Sequence, residues 1–102
     1  MGVENIKTIK AIKNLIEKKR TFLEEKYHIK ALGIFGSYSK GRASKVSDLD
    51  MLVDFSETPT LFQFIQLERE LSQILGIKVD LVTRNALKPL IKREILKEAV
   101  FI

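Results

Sequence analysis

The stretch Ile34–Asp50, IFGSYSKGRASKVSDLD, decides how this chain folds. Its first two residues close an apolar run, and Gly36-Ser37 makes a turn. Ten residues later comes Asp48-Leu49-Asp50, which opens a second apolar run. In an extended strand, side chains two apart leave the same face, so Asp48 and Asp50 stand together while Leu49 and Met51 face the other way. Desolvating two like charges on an apolar strand is costly unless a cation lies between them. The ligands are oxygens, with no cysteine in the chain and no histidine nearby. That set favours a hard ion, Mg2+ or Mn2+, over Zn2+.

The runs on either side read as strands. Residues 29–35, IKALGIF, are short and apolar and end at Gly36; residues 48–55, DLDMLVDF, form the second strand. Gly33 within the first marks a close approach by another backbone or helix. Residues 37–47 are a polar connection with one helical turn beginning at Ser37. A third strand, residues 77–82, IKVDLV, carries Asp80 among Val79, Leu81 and Val82. An acid there pairs with Lys78 or Arg84, or, if the second and third strands are neighbours, joins Asp48 and Asp50. Three carboxylates at one end of a small sheet can hold two metal ions for in-line phosphoryl displacement. Asp54 lies about 13 Å from Asp50 along an extended strand and reads as a strand-end surface residue.

Gly36 and Ser37 are the candidates for phosphate binding. Glycine admits an anion close to the backbone, and the serine hydroxyl and following N–H groups can hydrogen-bond its oxygens. Lys40, Arg42, Lys45 and Arg84 are near in sequence and are candidates to neutralise a triphosphate. Gly36 to Gly41 also has P-loop spacing, but Arg42-Ala43 follows where Lys and Ser/Thr are required, so a P-loop is set aside.

The remaining segments read as helices. Residues 4–27 place Ile6, Ile9, Ile12, Leu15, Ile16, Phe22 and Leu23 at helical spacing with no Gly or Pro between, and the helix ends at His28, a surface residue with no catalytic partner at telling spacing. Thr58 or Thr60 caps a helix over 61–75 built on Leu61, Phe64, Ile65, Leu71, Ile74 and Leu75, with Gly76 as its C-terminal stop. Pro89 opens a last helix whose apolar face is Leu90, Ile91, Ile95, Leu96 and Val100. The order is α-β-(short α)-β-α-β-α, an α/β class of the α+β type with a three-stranded sheet flanked by helices, in a single domain over 1–102.

Composition bounds the function. The chain is 45% hydrophobic and 30% charged, a globular balance with core enough for one domain. Without cysteine there is no disulfide, thiolate zinc site or cysteine nucleophile. No apolar run is long enough to span a membrane and the N-terminus lacks a signal-peptide core, so a cytoplasmic protein with no membrane partner is the expectation. The net charge of +5 sits largely on the first and last helices, interleaved with glutamates, and reads as the wet faces of amphipathic helices.

GSYSKGRASKVSDLDMLVDF resembles the signature of the DNA polymerase β-like nucleotidyltransferase superfamily. FQFIQLERELSQILG, KVDLVTR and LKPLIKREILKEAVFI extend the resemblance over nearly the whole chain to the minimal nucleotidyltransferases, the MNT antitoxins of HEPN/MNT toxin–antitoxin pairs. The resemblance implies a small mixed sheet flanked by helices. It implies an antitoxin that transfers AMP from ATP to a tyrosine of a HEPN-domain toxin, in a hetero-oligomer with it. By position it implies Gly36 and Ser37, aided by Lys40 and Arg42, on the triphosphate, and Asp48, Asp50 and Asp80 as catalytic ligands of two Mg2+ ions. Lys40 stands where the family often has Arg, which keeps the charge and loses bidentate contact. The acceptor comes from another molecule, although Tyr27 and Tyr38 are available for self-modification. Two other functions fit the same residues: an antitoxin acting by sequestration alone, and a transferase acting on RNA, which the basic charge mildly favours.

Overall fold

The central strand pair follows directly from the two apolar runs. In the computed structural model, which describes residues 7–44 and 46–102, β1 is Ile29–Phe35 and β2 is Leu49–Phe55. They pair antiparallel with Ile34 opposite Met51 and Phe35 opposite Asp50. β3, Val79–Thr83, lies parallel to β2, with Asp50 opposite Asp80 and Met51 opposite Leu81. A fourth strand, β4, Val100–Phe101, pairs antiparallel with β1. The sheet is mixed and its order is β3-β2-β1-β4.

Strand alternation divides the sheet into two chemically different faces. Leu32 and Ile34 of β1, Leu49, Met51 and Val53 of β2, and Val79 and Leu81 of β3 join one buried core. Helices α1 (Ile9–Glu17), α2 (Arg20–Tyr27) and α3 (Leu61–Leu75) complete it with Ile12, Ile16, Leu23, Tyr27, Leu67, Leu71 and Leu75. Asp50, Asp54 and Asp80 alternate with these core residues and therefore stand on the opposite face.

α3 also fixes the edge of the sheet. Thr60 and Gln63 form a reciprocal capping box at its start, and Gly76 ends it in the left-handed region at φ 66°. The outer N–H groups of β3 would otherwise lie open, but Val79 N–H donates to Ser72 Oγ at 3.0 Å and Leu81 N–H to Glu68 Oε2 at 2.8 Å. Asp80 is thus held between two clamped backbone groups.

The structure departs from the sequence expectations at several elements. The single helix over 4–27 is broken at Lys18–Lys19 into α1 and α2; residues 4–6 of that expectation, and Lys45, lie outside the described residues. Neither Gly nor Pro causes the break: α1 packs on α3 while α2 packs on β1, and Arg20 bridges the joint to Glu17 and Glu24. The buried stripe of α3 is Leu67, Leu71 and Leu75, whereas Leu61 and Ile65 face solvent with Phe62. Val100 belongs to β4 and not to the last helix, α4 (Pro89–Glu98), which buries no residue. The expected helical turn at Ser37 is a hydrogen-bonded turn over 36–41 rather than a helix, with Lys40 N–H donating to Gly36 O at 3.2 Å.

The stripe on α3 is open to a direct test. Leu71→Ala removes a fully buried side chain and is expected to lower stability by about 2–5 kcal/mol. Leu61→Ala, at a solvent-facing position, is expected to change it by less than about 0.5 kcal/mol in the same denaturant titration.

Candidate active site

β1 ends just before Gly36, a position that only glycine fits. Its φ is +73°, and a Cβ would collide with the Asp50 carboxylate, Oδ2 above all. The acid of β2 and the backbone at the end of β1 are therefore in direct contact. The turn beyond is closed by Arg42 N–H donating to Ser37 O at 2.8 Å and Ser39 Oγ to Gly36 O at 3.0 Å. Tyr38 anchors this turn by burying its side chain in the core.

Asp48 precedes β2 by one residue and is exposed; its Oδ2 lies 3.9 Å from Lys78 Nζ, a solvent-screened pair. Leu49 N–H donates to Lys78 O at 2.8 Å, which joins the entrance of β2 to that of β3. Asp50 then meets Asp80 across the parallel ladder. Burial pushes the Asp50 carboxyl upward, and the charges of Asp80, Asp48 and Glu98 push it further the same way. The three aspartates singled out in the sequence are thus electrostatic neighbours.

The basic candidates separate. Lys40 lies at the site, with Nζ 3.3 Å from Glu98 Oε2. Arg42 is exposed at the end of the turn. Arg84 is drawn away: its guanidinium is 3.7 Å from Asp54 Oδ2, at the other end of β2 and β3 from Asp50 and Asp80. Asp54 is accordingly a partly buried ion-pair partner and not a free surface acid. Neither tyrosine is free for modification. Tyr27 is buried with its hydroxyl donating to Glu70, and burial raises both its pKa and that of Tyr38.

Sequence reasoning missed Glu98, which reaches the site from the end of α4. Its Oε1 accepts the Gly36 N–H at 3.1 Å. No spacing rule links residues so far apart; the pairing of β4 with β1 brings them together.

The donor set, carboxylate oxygens of Asp48, Asp50 and Asp80, suits a hard divalent ion. Among the described residues, no three acidic, histidine or cysteine ligands already form a closed cage.

A model of the nucleotidyltransferase domain matches residues 16–102. The chain belongs to the nucleotidyltransferase-domain family. Among its relatives, “Protein adenylyltransferase MntA” of Thermococcus cleftensis is 40% identical over 95 residues, covering 93% of this chain and 96% of that one. A solved “putative minimal nucleotidyltransferase” superposes with a TM-score of 0.72 at 32% identity, over 87% of this chain and 93% of the other. The fold is shared with the complex of a tri-AMPylated Shewanella oneidensis HEPN toxin and its MNT antitoxin, with a TM-score of 0.65 at 20% identity, over 88% and 70%. The resemblance to minimal nucleotidyltransferases, and the α/β class with a mixed sheet, are therefore borne out; the sheet has one more strand than expected. Among the described residues of this nucleotidyltransferase domain, no helix is long and apolar enough to cross a membrane.

The crowded carboxylates make a stability prediction. A carboxyl whose folded pKa is raised contributes stability only while protonated, and that stability is lost as pH rises through the folded pKa. At neutral pH Asp50 is therefore a liability in the metal-free domain. Asp50→Asn is expected to raise Tm by a few degrees in EDTA at pH 7 and to flatten the fall of Tm with rising pH. Differential scanning calorimetry across pH measures both.

Proposed function

We propose that this chain is an antitoxin-type nucleotidyltransferase that transfers AMP from ATP to a tyrosine hydroxyl of a HEPN-domain toxin. The observation that carries the reading is the pairing of Asp50 with Asp80 in register, directly against the backbone of Gly36. That arrangement sets an acidic group beside an anion-binding turn. A polyphosphate with its cation fits both. The adenylyltransferase name of the Thermococcus relative supports AMP as the group transferred. The tri-AMPylated HEPN toxin bound to an MNT antitoxin supports the partner, and with it a hetero-oligomer.

In this reading the Gly36 N–H, Ser37 and Lys40 hold the β- and γ-phosphates, with Arg42 at the rim. Asp48, Asp50 and Asp80 would hold Mg2+, two ions in the full arrangement. Bound there, Mg2+ stabilises charge on the entering and leaving oxygens. The tyrosine oxygen attacks the α-phosphorus in line, the bond to the pyrophosphate oxygen breaks, and the phenolic proton passes to the Asp80 carboxylate. Asp80 is exposed, so an acceptor from another protein can reach it. Both tyrosines of this chain are buried, which favours an acceptor in trans.

The test is transfer from labelled ATP. With Mg2+ and the HEPN partner, label is expected on the partner's tyrosine and is expected to vanish in the Asp48→Ala, Asp50→Ala double variant with circular dichroism unchanged. Undiminished transfer by that variant overturns the site. Label on RNA would make the domain an RNA-modifying transferase, and tight complex formation without label a sequestering antitoxin.

A further inference from the structure

Both carboxylate oxygens of Glu98 are engaged, and their partners are groups just assigned to the nucleotide. Oε1 accepts the Gly36 N–H at 3.1 Å, and Oε2 faces Lys40 Nζ at 3.3 Å. A carboxylate and a phosphate oxygen satisfy a backbone N–H and an ammonium group in the same way. They cannot occupy one position together.

We propose that Glu98 is an internal anion that fills the phosphate cradle of the nucleotide-free domain and must leave it for ATP to bind. The inference rests on the nucleotide-binding reading above. Three observations carry it. The contact is weak enough to yield, because the Lys40 and Glu98 side chains are 48% and 29% exposed. The element is loosely held, because α4 buries no residue. The direction follows from charge: Glu98 already acts electrostatically on Asp50, Asp48 and Asp80 are close by, and a triphosphate adds further negative charge that favours its departure. β4 can stay in place while the side chain swings out, since the backbone beyond it is tied by Ile102 N–H donating to Leu32 O at 2.9 Å. The coupling is reciprocal: nucleotide releases the end of α4, and anything that draws α4 off Gly36 tightens nucleotide binding.

Glu98→Gln keeps the size of the side chain and removes its charge; Glu98→Ala removes the competitor altogether. Both are expected to lower the Kd for ATP in Mg2+, measured by calorimetry, roughly three- to tenfold. Inorganic tripolyphosphate is expected to gain by the same factor, because the competition is for phosphate positions and not for the base. A wild-type domain that binds ATP, with neither variant binding more tightly, overturns the inference and leaves the nucleotide reading intact. Weaker binding by both variants also overturns it, since Glu98 would then support the bound state. If neither wild type nor variants bind ATP, the nucleotide reading falls and this inference with it.

Discussion

The site depends on one steric and electrostatic constraint: the Asp50 carboxylate is packed against the backbone of Gly36 and set in register with Asp80. Each half of that constraint has a separate origin. The antiparallel β1–β2 pairing brings the end of β1 over the start of β2. The parallel β2–β3 pairing brings a second acid alongside. α1, α2 and α3 pack on the other face of the sheet, and on the acidic face Leu52 is buried while Asp80 is exposed. Like charges gathered this way raise the free energy of the empty domain. That cost is carried where the proposed function would place a cation and its phosphate ligand.

The C-terminal segment is bound to the site by backbone geometry rather than by burial. Gly33 makes room for the Phe101 ring, whose nearest atoms would lie 3.2 Å from a Cβ at that position. Its absence allows β4 to lie beside β1, and β4 fixes where α4 ends. Glu98 reaches Gly36 for that reason, while Leu90 and Ile91 on the same helix remain in solvent. A segment with little packing of its own but a charged group inside the site is well placed to respond to what the site holds.

The amino-acid sequence by itself determined the elements with strong local signals. β1 and β2 are predominantly apolar runs closed by Gly36 and by the Pro59 region. α3 was legible over 61–75 from its apolar spacing and its Gly76 stop, and the structure selects Thr60 over Thr58 as its cap. Asp48 and Asp50 stood out because acids are costly on an apolar strand, and Asp80 for the same reason. Tertiary structure decided the rest. The break between α1 and α2 exists because two surfaces, α3 and β1, must both be covered. The stripe of α3 rotated from Leu61 and Ile65 to Leu67 because the sheet, not the periodicity, selects which apolar residues face it. β4 is too short to carry a period, and it took Val100 from the helix because a free edge on β1 was available. Arg84 went to Asp54, and Glu98 to Gly36 and Lys40, because charge pairs form between groups the fold makes neighbours. Sequence spacing records only local neighbours; the neighbours across strands are set by register, and register belongs to the whole sheet.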